Sequence, residues 1–463
     1  MGTEFGSLST ALTALQAERK ALEVTGQNIA NASTSGYTRQ RAVFQGIGGS
    51  VVPAMYSRSD GVGAGVVVSE VQRLQNAFLE QRANTENGTL AFLQGSQQTL
   101  ADIENSFGEP STTGIQSLLT TFWNGWDDVA NNPADTAART ALIGDAQALA
   151  SGLNVAAGAL SAQWASSRQS LQSVVDQVNA AAQDIAALNK AIVAATSAGN
   201  QPNDLEDQRD VLIRKLASLV GVTTKPKTDG STDVLLGGSS LVSGSLARQL
   251  QLGGGTAIDQ VSTTPVTLTW TDTGTTAAVS SGQGAALLTA LNVTIPSYAG
   301  QLDSVANQLV TTVNTQHQLG YDLNGNAGGN FFDPTGTTAA TIKVAITDPA
   351  LVAASSVPPS AGQPSLDGGN AQALANMSGT GADAAYRKMI VALGSESNTI
   401  QQRTTTQQSV VNQVEASRDS ASGVDLDEEQ TNLITFQHAY DAAAKYLSVI
   451  DSILDTLINH TLA

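Results

Sequence analysis

The sequence predicts a mainly α-helical protein with a β-rich insert, nested so that both termini meet. Three observations predict this. Heptad-spaced apolar residues mark each extreme end, long helical blocks lie inside them, and stretches rich in Thr, Val and Gly interrupt the middle.

At the N-terminal end, Leu8, Leu15, Leu22 and Ile29 recur every seven residues, with Leu12 and the alanines Ala11, Ala14 and Ala21 beside them. Phe5 keeps the same helical phase. At the other end Leu426, Leu433, Tyr440, Leu447 and Leu454 form one heptad row, and Phe436, Ala443, Ile450 and Leu457 form a second, offset by three. This is an a/d seam, so the ends are expected to form a coiled coil, residues 1–36 with 424–463. A further apolar set on the last helix (Ile434, Tyr446, Val449, Ile453 and Ile458) lies off that seam. One partner helix does not cover both faces, and further copies of the chain are the expected cover.

Inside the ends, the alternating stretches RQRAVF and GAGVVVSEV predict a β-ribbon over 38–72. A mainly helical core domain is expected over 37–220, 284–330 and 376–423. Within it TFWNGWDDVANNP predicts a helix ending before Pro133, and Ser161 to Ala198 reads as one Ala-rich helix. DLEDQRDVLIRKLASLV predicts a helix with an Asp210–Arg214 pair on its outer face. Further helices are expected at about 297–319 and 382–421. Thr, Val, Gly and Pro dominate 221–283 and 331–375, the expected β-rich outer domain. At SGVDLDEE, Ser422 and Gly423 end one helix, while Asp425 with Glu428 suggests a capping box for the next.

Composition narrows the function classes. The chain of 463 residues carries a formal net charge of −18, which argues against nucleic acid and against an anionic membrane surface. The charge is uneven: residues 1–100 hold 7 basic and 7 acidic side chains, residues 351–463 hold 5 and 12, so the two ends are electrostatically suited to meet. No cysteine is present, which leaves no disulfide framework and no thiolate metal site. The start lacks the basic and apolar regions of a cleavable signal, and no apolar run of about 18 residues suggests a membrane span.

Nothing in the sequence argues for catalysis, and no cofactor or metal is expected. His317, His438 and His460 stand far apart without ligand spacing. DLNGNAGGN (322–330) places oxygen ligands at alternate positions, but Ala327 occupies the position where a calcium loop needs glycine, and a Gly/Asn turn is the better reading. The paired acids Asp127–Asp128 and Glu428–Glu429 read as solvated faces or helix starts.

NIANASTSGYTRQR (28–41) resembles the N-terminal signature of the bacterial flagellar axial proteins, those of rod, hook and hook–filament junction. EEQTNLITFQHAYDAAAKYLSVIDSILDTLIN (428–459) resembles their C-terminal signature. PNDLEDQRDVLIRKLASLVGV and LDSVANQLVTTVNTQHQLGYDLNGNAGGNFF resemble the hook-associated branch, the first layer of the hook–filament junction. GYTRQ also suits that branch better than the hook proteins, which carry a Gly-Phe-Lys-like step. The resemblance implies a structural, extracellular protein exported through the flagellar type III apparatus without a cleavable signal. It implies as partners copies of itself, the hook protein, the second junction protein or filament side, and an export chaperone at the C-terminal helix. The alternatives are another axial protein, of hook or distal rod, and, from a different class, a secreted adhesin.

On this reading the terminal helices order and pair as subunits assemble. Arg19 and Lys20 are candidates to face the acidic last helix. Gln27–Arg41 becomes the joint between coiled coil and body: Gly36 is placed for a left-handed helix stop, Asn28 and Asn31 for helix-end or turn groups, and Tyr37, Arg39 and Arg41 for contacts with an adjacent layer or subunit.

Overall fold

The computed structural model describes residues 2–48, 63–358 and 367–460, with side chains described from residue 6 to residue 456 within those spans. The side chains of Phe5, Leu457, Ile458 and His460 lie outside those described, as do residues 49–62 and 359–366.

Helix α1 (Gly2–Asn31) leads into the antiparallel ribbon of β1 (Gln40–Gly46) and β2 (Val66–Arg73). Helices α2 (Ala77–Phe107), α3 (Ile115–Asn131), α4 (Thr136–Ser197) and α5 (Asn203–Val220) build the body. Its core is dense: Leu119, Phe122, Trp126, Leu142, Leu153, Leu160, Trp164 and Leu171 are fully buried. The 62-residue α4 is its spine and begins much earlier than the expected Ser161, at a cap where Asp135 accepts from the Ala137 N–H. Glycines 144, 152 and 158 obscure that first half in the sequence, but a helix with packed neighbours tolerates them at about 1 kcal/mol each.

The insert follows α5. Strands β3 (Val222–Pro226), β4 (Thr232–Leu236), β5 (Ser239–Ser243) and β6 (Leu246–Ala247) form an antiparallel meander, and β7 (Leu250–Gly253) pairs with β8 (Thr267–Trp270). Thr232, Val234 and Leu236 point inward at period two. Amides on α4 grip the insert: Asn179 makes reciprocal 2.8 Å bonds with the Leu250 backbone, and Asn189 donates to Thr232 O and Gly244 O, each at 2.9 Å. The insert enters and leaves at one point. Gly221, at φ +67°, lies so close to Ser281 that a Cβ there would sit 2.6 Å from the Ser281 Cβ.

The chain returns through α6 (Gly282–Thr289), a π-helical turn and α7 (Ile295–His317). Residues 331–375 differ from expectation: among the described residues they form no strand, but isolated bridges such as Phe332–Val344, a 3-10 turn at Pro349–Leu351, and then α8 (Gly369–Ala375). Pro334, Pro349 and Pro358 remove ladder donors, and side chains hold the segment instead. Asn314 accepts from the N–H groups of Phe331 and Phe332, and Arg139 donates to the carbonyls of Pro133, Pro349 and Val352. His317 settles its own tautomer: Nε2 accepts from the Ala353 N–H at 2.8 Å and Nδ1 donates to Gly329 O at 2.7 Å. The 322–330 segment is a turn closed by Asp322 Oδ1, which accepts from the N–H groups of Asn324 and Asn326.

Helix α9 (Gly381–Ser422) runs back along α2 and α7, and α10 (Leu426–His460) completes the chain against α1.

Candidate assembly site and joint

The terminal pair is antiparallel, since Asn28 near the end of α1 bonds Glu429 in the first turn of α10. Helix α1 lies against both α10 and the ribbon, and Phe44 of β1 meets Phe436 with ring centroids 6.0 Å apart. Being covered from two sides, α1 buries mainly small residues: Ala11, Ala17, Ala21, Val24, Thr25 and Asn28. The leucine row falls at the margin of that face. Leu8, Leu15, Leu22 and Ile29 are half-buried, and Leu12 is 50% exposed. On α10 the a/d residues Leu433, Phe436, Tyr440, Ala443, Leu447 and Leu454 are half-buried; among the described side chains of this set only Ile450 is buried, and Leu426 is exposed. Beside that seam Ile434, Tyr446, Val449 and Ile453 stand 47–55% exposed.

The joint is a closed polar network. Gly36 takes φ +85°, but inside the turn after the helix rather than at the helix stop, and a Cβ there would lie 2.3 Å from Val211 Cγ2 on α5. Asn31 stays local: its amide donates to Gln27 O, and its Oδ1 accepts from the Thr34 hydroxyl. Asn28 reaches further. It donates to Gln40 O at 2.8 Å and to Glu429 Oε2 at 3.1 Å, while its Oδ1 accepts from the Gln40 N–H and the Tyr37 hydroxyl. Burial, then the charges of Asp207, Asp204 and Glu429, push the Tyr37 phenol up, which keeps it a neutral donor.

Arg39 is the pin. Its Nε donates to Glu429 Oε1 at 2.8 Å, and Nη2 lies 2.7 Å from that oxygen and 2.8 Å from Glu428 Oε1. Its backbone N–H donates to Ser422 O, so α9 and α10 are both tied to it. The Arg39 hydrogen bond holds the Glu428 carboxyl below its usual range. Glu429, read from sequence as a solvated helix start, is instead almost fully buried and paired. Asp425 does cap α10, accepting from Asp427 and Glu428 N–H groups, but the Glu428 side chain goes to Arg39 rather than closing a capping box.

A second cluster fastens the ribbon to α5. Arg73 of β2 meets Glu206 at 3.0 Å, Asp207 at 2.6 Å and Asp210 at 2.8 Å. Burial disfavours its charge, but Asp210 and Asp207 outweigh that and raise the guanidinium further. Thr38 N–H donates to Asp207, and Asn203 donates to Gln40 Oε1 and Val71 O. The expected Asp210–Arg214 pair is replaced: Asp210 serves Arg73, and Arg214 pairs with Glu80. Among the described residues the Arg41 side chain bonds Gln72 across the ribbon, and Arg19 and Lys20 pair with Glu23 on their own helix rather than with α10. A cleft of about 1070 Å³ separates α1 from the α4–α5 turn.

Sequence reasoning named Asn28, Tyr37 and Arg39 but missed Glu429, Arg73, Asp207 and Asp210. The one available signal was four acids within 204–210 facing a neutral N-terminal region.

A family model described as the flagellar hook-associated protein FlgK helical domain matches residues 100–332, half of the chain. The chain belongs to that family. Its ends match models of the flagella basal body rod protein (8–38) and of the flagellar basal body rod FlgEFG protein C-terminal region (415–460). The flagellar hook-associated protein 1 of Bacillus subtilis is 28% identical over 99% of both chains, and that of Escherichia coli 27% identical over 98% of this chain and 99% of its own. The solved flagellar hook junction protein FlgK from Burkholderia pseudomallei shares the fold, at TM-score 0.64 and 19% identity over 73% of this chain and all of that one. The protein is thus a structural hook–filament junction component of the flagellum. No helix among the described residues is long and apolar enough to cross a membrane.

Proposed function

We propose that α1 and α10 are the polymerising element, that Gln27–Arg41 with Glu429 is the joint transmitting their position to the body, and that the chain works as three nested bodies. These are the terminal coiled coil (1–36, 424–463), the helical core (37–220, 284–330, 376–423), onto which 331–375 packs, and the outer domain (221–283). The observation that carries this reading is the exposed apolar set Ile434, Tyr446, Val449 and Ile453 beside a half-buried seam. Covering each half-exposed side chain contributes about 1 kcal/mol, so the set supplies about 4 kcal/mol per neighbour contact. Copies of the chain supply that cover. An axial neighbour on one side is hook protein, and on the other the second junction protein or filament side.

Before assembly the pair gains little, because neither helix closes a core of its own. We infer that it orders as subunits add, that the chain travels unfolded through the export channel, and that a chaperone shields α10 on the way. Limited proteolysis of dilute monomer tests the ordering: cleavage confined to the termini is expected, and termini as resistant as the body would refute it. The rod and hook alternatives lose ground because the rod-type matches cover only the shared ends, whereas the FlgK match covers the middle.

A further inference from the structure

The terminal pair carries an unpaired acid and an unpaired base. Half-buried Glu18 has its Oε2 covered yet without a hydrogen-bond partner among the described residues, and burial raises its carboxyl. At 3.6 residues per turn it continues the marginal row Leu8, Leu12, Leu15 and precedes Leu22 on it. Lys445 is the one Lys or Arg of α10, exposed and without an ion pair among the described residues. It lies three residues after Ala442 and four before Val449, and so borders the exposed stripe Ala442, Tyr446, Val449, Ile453.

The two rows stand level. Leu12 lies about 16 residues from Asn28 and Lys445 about 16 from Glu429, so in the antiparallel pair both stand about 24 Å from the joint. They are different surfaces of the ordered pair, and a contact between different surfaces propagates from copy to copy instead of closing a dimer. Covering Glu18 with apolar side chains alone would strand a carboxylate, which is costly unless a cation arrives with the cover.

We propose that the α10 stripe of a second copy docks on the leucine row of α1, and that Lys445 of that copy pairs with Glu18 and sets the register between neighbours. The pairing rests on the reading of α1 and α10 as the polymerising element. An axial displacement of about 9 Å between copies aligns the two groups, and less suffices for an extended lysine. The ion pair supplies specificity while the apolar rows supply adhesion.

Charge reversal tests it in the full-length chain, expressed in cells lacking the gene, with filaments per cell counted by electron microscopy. E18K and K445E are each expected to lower the count at least tenfold, and the double variant to restore most of it. Single variants that build filaments normally, or a double variant that fails to restore them, overturn the pairing. Because the native chain has no cysteine, a second readout is clean: an E18C/K445C protein treated in isolated flagella with a short bis-maleimide should give a subunit ladder. Absence of the ladder overturns the pairing as well. Val449→Asp separates the levels. If it abolishes filaments while the charge variants are harmless, the terminal-helix reading stands and the pairing falls; if it too assembles normally, the reading itself fails.

Discussion

The helical body and the terminal pair use similar residues to opposite effect. In the body, Phe122, Trp126, Leu153 and Leu160 are wholly buried, and aromatic rings from α3 and the 331–332 segment meet at 5.1–6.3 Å. In the pair, the a/d residues are mostly half-buried and a full apolar stripe faces outward. The body closes its core within one chain. The pair presents half a core whose other half belongs to the assembly, and the polar joint keeps the two regimes mechanically connected without merging them.

The contrast is most sharply broken from the body side. Trp126→Ala opens a cavity in the aromatic cluster and should cost about 3–5 kcal/mol, read as a fall in the thermal unfolding midpoint of the isolated monomer. Acid offers a second route. Burial, with the charge of Arg139 adding to it, lowers His317 to about 4 against an ordinary 6.5, and a proton on Nε2 would also displace the hydrogen bond from the Ala353 N–H. Between those values the unfolded chain takes up the proton more readily, so stability present above pH 6.5 drains away as pH falls to 4. The full drop is on the order of 3 kcal/mol, measurable by urea titration at stepped pH. His317→Gln, which can keep both hydrogen bonds, should flatten that part of the profile.

At the joint, Arg39→Met strands the buried Glu429 carboxylate and should loosen the anchorage of the pair by about 2 kcal/mol. Faster proteolytic loss of α1 and α10, with an unchanged unfolding midpoint of the body, is the expected signature. The smallest monomer effect belongs to Val449→Ala, which should shift unfolding by less than about 0.5 kcal/mol. Its deficit should appear in filament number instead, and a large monomer effect would erase the distinction between the two regions.

Much of this architecture is legible in the sequence, and the failures have physical causes. Heptad spacing revealed both terminal helices because a repeat every seven residues survives any environment. It did not reveal that α1 would turn its alanines inward, since periodicity marks a face but not how many neighbours crowd it. The Arg39–Glu429 bond spans 390 residues, and adjacent acids at a helix start look alike whether solvated or buried. Residues 331–375 share the Thr, Val and Gly content of true strands, yet their prolines and the reach of Asn314 and Arg139 produced side-chain-held turns. Within the joint, the sequence marks Asn28 as a helix-end residue, whereas its work is to splice α1 to the backbone of Gln40.

The meeting of Gly221 with Ser281 has a consequence for how such chains diversify. Because the segment between them departs and returns at a single doorway on the body, its size is uncoupled from the spacing of everything else. Enlarging it at turns away from the strands that Asn179 and Asn189 hold leaves the helical spine and the distant polymerising ends in register. Its outer turns, rather than the packed doorway itself, are the natural graft points for a foreign domain with adjacent termini.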